Sequence, residues 1–335
     1  MRAAVLECFN EPLHVTNVPD PAIEHANEVV IRVRACGLCG TDLKINAGAL
    51  DTVTVPIIPG HEIAGEIALG TDRLAVGQRV ACYHYTPCGR CSWCRRGQLS
   101  LCPHSRRLGF EQNGGLAEYV RVAAVNALPF GDQLSFEEAA VTMDAVTSPW
   151  RALTVRAALA EGETLVVVGA GGLGLNAVQI GLAKGARVAV VDPVEGLRNL
   201  AQEMGAEIAV RGNESAAIVD WSEGGVDVGF EGSGTRNGFD TAVACLRPGG
   251  RLACCGYRPG TDFAIDSAKL ALQELSILGS RAGAREDARA ALRAVEERIV
   301  RPKIANTLPL SEVNDALDRL RRSETLGRLV IHPGD

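Results

Sequence analysis

Five short apolar runs in the second half of the chain constrain its architecture more than any other feature: Leu165 to Val168, Val188 to Val191, Val226 to Phe230, Leu252 to Cys255 and Leu275 to Leu278. Helical patterns separate each run from the next. Runs apolar on both faces belong to parallel strands buried between two layers of helix, because a strand with one face in water would alternate polar and apolar residues. From about Ser135 onward the chain therefore reads as α/β, with a doubly wound parallel sheet.

The first run passes directly into Gly169-Ala170-Gly171-Gly172-Leu173-Gly174, and a helical pattern follows from Leu175 to Lys184. A GxGxxG sequence is weak by itself, but the strand before it and the helix after it are the context that a dinucleotide-binding turn requires. Gly169 permits the tight turn, Gly171 lets the backbone approach a pyrophosphate, and Gly174 allows the helix to pack closely on the strand. The helix N-terminus then stabilises the phosphate charge. Asp192 ends the second strand, near the offset of about 20 residues at which an acid accepts hydrogen bonds from both adenosine-ribose hydroxyls and repels a 2′-phosphate. NAD is expected over NADP. Pro193 stands where an NADP site would often have Arg, and Arg198 falls well into the following helix.

From Met1 to about Pro129 the texture changes to short β-like runs broken by Gly and Pro. Val29, Ile31, Val33 and Ala35 alternate with Arg32 and Arg34, the period of a half-exposed strand, so an antiparallel, irregular domain is expected. Toward the C-terminus a helical stretch from Arg285 to Ile299 precedes a helix around Ser311 to Arg321, with Ser311-Glu312 as its N-cap signal. The run Gly327 to Ile331 reads as a last strand returning to the first domain.

Glu7 interrupts the apolar core that a secretory signal would need, and no apolar stretch of about 18 residues exists, so a cytoplasmic chain is expected. In a reducing compartment the 11 cysteines read as metal ligands or buried thiols, and an odd number cannot all pair. Cys88, Cys91 and Cys94 recur at a spacing of three, with Cys102 shortly behind. Four thiols so placed can close a tetrahedral site, with zinc the expected occupant and an iron–sulfur cluster the alternative. An all-Cys shell has no open position, so its role would be structural.

Other residues of zinc-ligand type lie far apart: Cys39 in Cys36-Gly37-Leu38-Cys39-Gly40-Thr41-Asp42, His61 in Pro59-Gly60-His61-Glu62, and Asp144, which opens a helical pattern. Three protein ligands leave a fourth position for water or substrate. Singly, each residue is ordinary, a turn histidine or a small buried hydrophobe. In order along the chain, however, Cys39-Gly40-Thr41-Asp42, Gly60-His61-Glu62, the four-cysteine lobe, Gly114-Gly115-Leu116-Ala117-Glu118-Tyr119-Val120, the glycine turn and Gly327-Arg328 resemble the zinc-dependent medium-chain dehydrogenase/reductase family, the alcohol dehydrogenase relatives.

The resemblance spans nearly the whole chain and implies a GroES-like irregular β catalytic domain at 1–147 with a structural zinc lobe at 82–105. A Rossmann coenzyme domain would occupy 148–281, and 282–335 would return to the catalytic domain. It implies two zinc ions per chain, a catalytic one on Cys39, His61 and Asp144 and a structural one on Cys88, Cys91, Cys94 and Cys102. Glu62 would be an intermittent ligand and Thr41 would bond the substrate oxygen. Gly169, Gly171, Gly172, Leu173, Gly174, Asp192, Ser148 and Arg328 would hold NAD, with Ser148 at the nicotinamide and Arg328 at the phosphates. Many relatives carry a relay histidine where this chain has Lys44, so the proton path would run through Lys44, a ribose and water, or leave differently. Cys36 reads as packing.

The activity so implied is hydride transfer between an alcohol and NAD, in a homodimer or homotetramer. His84-Tyr85-Thr86 and Phe110-Glu111-Gln112 lie, by resemblance, near the substrate cleft, and their polarity suggests a polyol or polar secondary alcohol. A zinc-independent quinone or enoyl reductase would lack both ligand sets, and a non-catalytic NAD-binding protein would oxidise nothing. With 34 Lys and Arg against 40 Asp and Glu, the net charge of -6 offers no basic field to nucleic acid or an anionic membrane. The Arg pairs at 95/96, 106/107 and 321/322 read as solvated faces.

Overall fold

Along the strand Glu28–Leu38, Val29, Ile31 and Val33 are buried while Arg32 and Arg34 are exposed, as the alternation requires. From Ala35 to Leu38 every residue is buried, and this end of the strand pairs with Arg328–His332 on one edge and Glu62–Leu69 on the other. The computed structural model describes residues 1–335, and the chain divides into two units, Met1–Asp144 with Ala284–Arg298 and Pro302–Asp335, and Ala145–Gly283 with Ile299–Arg301.

The first unit is built on a seven-stranded sheet in the order Ile304–Pro309, Arg328–His332, Glu28–Leu38, Glu62–Leu69, Arg79–Cys82, Ala127–Pro129, with Tyr119–Ala123 also paired to Glu28–Leu38. Only the first two strands in that order run parallel; the other pairings are antiparallel. Ile31, Ile63, Ile67, Leu116, Val120 and Ile331 lie in its core. The returning strand sets Leu329 opposite Leu38 and Ile331 opposite Cys36. The helix Arg285–Glu296 buries Ala288, Ala291, Leu292 and Val295 and stops at Glu296 rather than Ile299. Ser311 caps nothing: it lies in a 3-10 turn, Leu310–Glu312, that runs straight into the helix Val313–Arg321.

Ser135 and Glu138 start a helical run with a reciprocal cap, each side chain accepting the other's backbone N–H at 3.1 Å. Phe136–Val141 is α-helical, Thr142–Val146 is a π turn, Thr147–Arg151 is α-helical again and Ala152–Arg156 is a second π turn. Asp144 therefore does not open a helix, as the sequence suggested. It lies within one, on a turn widened by an extra residue.

The second unit holds six strands: β1 Thr164–Val168, β2 Arg187–Val191, β3 Ile208–Val210, β4 Val226–Glu231, β5 Leu246–Cys254 and β6 Ser276–Gly279. Their order is β3-β2-β1-β4-β5-β6, and every neighbouring pair is parallel. The five apolar runs supply all but β3, a three-residue edge strand with two residues half-buried. β6 is less buried than a strand covered on both faces, its Ser276 and Gly279 being exposed, because it is the opposite edge. Strand order reverses between β1 and β4, the point at which doubly wound sheets open a crevice at their carboxyl ends. No helix is long and apolar enough to cross a membrane.

Leu252 in β5 is fully buried and Ile277 in β6 only half so. Leu252→Ala should cost about 3 kcal/mol of stability and Ile277→Ala less than about 1.5 kcal/mol. Urea unfolding of both variants measures the difference, and equal losses would contradict the edge position of β6.

Candidate metal centres and dinucleotide turn

Where the strand Glu28–Leu38 ends, the chain enters the short helix Gly40–Asn46 with Cys39 as its N-cap. Cys39 Sγ accepts from the Thr41 N–H at 3.3 Å, and Asp42 Oδ2 accepts from the Cys39 N–H at 2.8 Å. The other Asp42 oxygen, Oδ1, lies 3.4 Å from His61 Nδ1. One buried carboxylate thus bonds the backbone of the thiol and lies beside the imidazole ring. Sequence reasoning did not single out Asp42, although an acid three residues after an N-cap is a capping-box signal.

His61 precedes the strand Glu62–Leu69, whose register sets Glu62 opposite Gly37. His61 Nε2 lies 3.2 Å from Cys39 Sγ and 3.9 Å from Asp144 Oδ2. With Glu62, the four donor atoms all fall within 4.8 Å of one another. A tetrahedral ion with ligands at about 2.0–2.3 Å spaces them about 3.3–3.8 Å apart, so these separations fit a shell of the zinc type. Both Glu62 oxygens, Asp42 Oδ1 and His61 Nδ1 are buried without a hydrogen bond. Burying the Glu62 carboxylate in this way is costly unless a cation balances it.

Charges within the cluster are strongly perturbed. Burial raises the Glu62 carboxyl to about 8 against the pull of Arg328. Burial opposes a charged His61, yet Cys39 and Asp42 carry it well above its ordinary value. Burial would also raise Asp144, but His61 and Arg328 hold it far below the usual carboxylate range. Arg328, implied at cofactor phosphates, is buried with Nη2 at 2.8 Å from Glu62 Oε1 and 3.4 Å from Asp144 Oδ2. Thr41 and Lys44 are half-buried on the short helix, three residues apart and so on one face.

Aromatic rings close round His61, with Phe110 at 5.2 Å and His84 at 5.5 Å between centroids. Glu111 does not add free polarity here. Its Oε2 accepts from the Arg107 N–H at 2.8 Å and Nε at 3.1 Å, while Arg107 Nη2 also donates to Thr52 Oγ1 at 2.8 Å. The same guanidinium stacks 4.0 Å over the Phe110 ring. Arg107 is thus no solvated surface arginine: its side chain is 12% exposed, against 55% and 58% for Arg321 and Arg322.

In the four-cysteine lobe, sulfur atoms lie 3.5 Å apart for Cys91 and Cys94, 3.8 Å for Cys91 and Cys102, and 3.9 Å for Cys88 and Cys94. A disulfide would need about 2.05 Å, whereas edges of this length belong to a tetrahedral thiolate shell. Backbone N–H groups of Arg90 and Cys91 pull the Cys88 thiol down to about 6, toward the thiolate that a metal needs.

In the second unit, Gly169 turns with φ 88° and donates its N–H to Val191 O at 2.9 Å. A Cβ on Gly174 would collide with the Gly169 carbonyl oxygen, and one on Gly171 would meet nothing within 4 Å. The helix Gly174–Ala183 follows Gly172 and its N-cap Leu173. Asp192, at the end of β2, accepts from the Ala170 N–H at 2.7 Å on Oδ2 and from the Val194 N–H at 2.8 Å on Oδ1. Arg198 folds back from its helix to donate Nη1 to the Asp192 and Pro193 carbonyls at 2.8 and 2.9 Å. Ser148 is buried on the helix Thr147–Arg151.

Residues 25–132 match the alcohol dehydrogenase GroES-like domain and residues 172–297 the zinc-binding dehydrogenase domain. An alcohol dehydrogenase of Geobacillus stearothermophilus is 36% identical over 338 residues, covering 99% of both chains. An acryloyl-coenzyme A reductase of Metallosphaera sedula is 31% identical over 341 residues, again 99% of both. The crystal structure of an NAD-dependent alcohol dehydrogenase superposes with a TM-score of 0.94 at 28% identity over 100% of both chains.

Because a Cβ would collide at Gly174 and meet nothing at Gly171, Gly174→Ala should destabilise the protein by about 2 kcal/mol, while Gly171→Ala should leave stability unchanged within about 0.5 kcal/mol. Thermal melts of the two variants check this; equal shifts would refute the packing account of the turn.

Proposed function

The chain belongs to the zinc-dependent medium-chain dehydrogenase/reductase family, and from that premise we propose that it oxidises alcohols with NAD, and reduces the corresponding carbonyls, using two zinc ions per chain. The observation that carries this reading is the convergence of Cys39, His61, Glu62 and Asp144 from distant segments at the separations of a metal shell. Cys39, His61 and Asp144 would hold the catalytic ion with Glu62 as the intermittent ligand, and Cys88, Cys91, Cys94 and Cys102 the structural one. When bound, zinc acidifies an alcohol hydroxyl or polarises a carbonyl, and nicotinamide supplies the redox step.

The protein's own part is orientation and proton handling. Asp42 holds Cys39 and His61 in register, as outer-shell carboxylates do for metal-bound imidazoles. The Thr41 hydroxyl accepts the substrate's proton as it passes on its own. Lys44, on the same helix face, orients the ribose hydroxyl or water that takes the proton next. Arg328 balances the carboxylates of Glu62 and Asp144 and is the side chain that would reach the cofactor phosphates. Gly169, Gly171, Gly172, Leu173 and Gly174 admit the pyrophosphate, and Ser148 contacts the nicotinamide. Asp192 keeps lone pairs for the ribose hydroxyls beyond its two backbone bonds, and its charge opposes a 2′-phosphate.

Two complete ligand sets distinguish this reading from a metal-free enoyl or quinone reductase, and an open three-ligand site has no use in a non-catalytic NAD-binding protein. β6 ends the sheet, an edge that a second copy could extend, in keeping with a homodimer or homotetramer.

Purified protein should carry two zinc equivalents, lose about one to mild chelation together with NAD reduction by alcohols, and keep the other, since open sites release metal faster than closed ones. A single equivalent in fresh protein, or no NADH formed across polyols, amino alcohols and simple primary and secondary alcohols, would refute the proposal. Asp192→Gly should move the ratio of kcat/KM for NADP over NAD upward by about tenfold or more. Steady-state kinetics with both cofactors measures it, and an unchanged ratio would remove Asp192 from the ribose.

A further inference from the structure

His61, read above as a ligand of the catalytic ion, is walled by two rings. Phe110 stands 5.2 Å and His84 5.5 Å from it between centroids, and these two rings lie 6.4 Å apart and 15° from parallel. An alcohol whose oxygen reaches an ion held by Cys39, His61 and Asp144 has to place its carbon substituents among the groups round His61. Phe110 is buried, so its position is set by what packs on it.

Behind the ring lies Arg107, whose guanidinium carbon is 4.0 Å from the ring centre. The turn that carries Phe110 is built on the Arg107 carbonyl, which accepts the N–H groups of Phe110, Glu111 and Gln112 at 3.0 to 3.2 Å. The guanidinium itself is fixed by Glu111 and Thr52. Nη2 donates to Glu111 Oε1 at 2.5 Å and to Thr52 Oγ1 at 2.8 Å, and Nε donates to Glu111 Oε2 at 3.1 Å. A two-pronged pair with a carboxylate holds a guanidinium in one plane, and a flat cation stacked on an aromatic face holds the ring in turn. Tyr85 pairs with Arg107 across a short antiparallel ladder, and Leu108 donates its N–H to the His84 carbonyl at 3.0 Å, so the backbones that bear the two rings are joined as well.

We propose that Arg107 is a positioning residue that, through Phe110, limits the bulk of the alcohol this site accepts. The proposal rests on the zinc and NAD reading above. Without the guanidinium behind it the ring gains room to withdraw from His61, and the wall then yields to a larger substituent. A side chain kept only for stability has no such selectivity, because loss of folded protein lowers the turnover of every alcohol by one factor.

Steady-state kinetics with NAD on wild type, Arg107→Ala, Phe110→Ala and the double variant tests it, with ethanol against benzyl alcohol and 2-propanol against cyclohexanol as small and bulky substrates and the zinc content measured on each preparation. Arg107→Ala should raise the ratio of kcat/KM for bulky over small alcohol about fivefold or more while the zinc content stays that of wild type. In the Phe110→Ala background the same substitution should move the ratio by less than about twofold, since the two residues act through one wall. An unchanged ratio in Arg107→Ala, equal shifts in both backgrounds, or zinc lost along with Arg107 would each overturn the proposal. If Arg107→Ala does not fold, Arg107→Lys keeps a cation for Glu111 but has no flat face for the ring, and it is read in the same assay. A raised ratio there supports the proposal, and the wild-type ratio overturns it. Wild-type protein that forms no NADH from any of these alcohols would instead bring down the activity reading beneath it.

Discussion

The register between Glu28–Leu38 and Glu62–Leu69 is the constraint on which the metal site depends. Pairing Gly37 with Glu62 leaves Cys39 and His61 just past the paired ends of the two strands, side by side although 22 residues separate them in the chain. A Cβ on Gly37 would lie 2.1 Å from Glu62 Oε2, so glycine there leaves the carboxylate its place. A slip of one residue would turn His61 and Glu62 to opposite faces. The same long strand takes Arg328–His332 on its other edge, with Leu38 opposite Leu329, and so delivers the Arg328 guanidinium to Glu62 and Asp144. One strand therefore assembles a site from segments at both ends of the chain.

That convergence is electrostatically expensive, and the arrangement shows how the expense is contained. Asp42 caps the short helix through the Cys39 N–H and sets its other oxygen beside His61 Nδ1, so a single acid faces both the thiol's backbone and the imidazole. Arg328 offsets Glu62 and Asp144, but geometry leaves the Glu62 oxygens without a hydrogen bond. A divalent ion is the partner that would satisfy the remaining acceptors without another side chain. Behind the ring wall, Arg107 ties Glu111 and Thr52 together and stacks on Phe110, which holds one of the two rings beside His61 in place.

In the second unit the same economy appears with carboxylates at strand ends. Asp192 closes β2 and binds the glycine turn through Ala170 N–H. Glu231 closes β4 and binds its own loop. Each uses backbone N–H groups that would otherwise lack partners where a parallel sheet stops and its loops begin. The glycine turn lies between them, its shape imposed by the contact of Gly174 with the Gly169 carbonyl.

Much of this was legible in the amino-acid sequence, because local patterns report local physics. Apolar runs marked five of six parallel strands, the strand–glycine–helix order marked the dinucleotide turn, and cysteine spacing marked the lobe. The three-residue strand Ile208–Val210 was invisible because half-buried edge residues carry no periodic signal. The helix start at Ser311 and the helix opening at Asp144 were misplaced because 3-10 and π turns continue a helix without announcing themselves in composition. Side-chain partnership lay beyond sequence altogether. Asp42, Arg107 and Glu231 look like ordinary surface charges in one dimension, and only the pairing of distant strands and the folding back of loops decided that two are buried, that Arg107 is half-buried, and what each one holds. By itself the sequence determined which elements form and which residue types are available to a metal and a dinucleotide. Tertiary structure alone decided which of them meet, since strand register and burial are properties of neighbours far away in the chain.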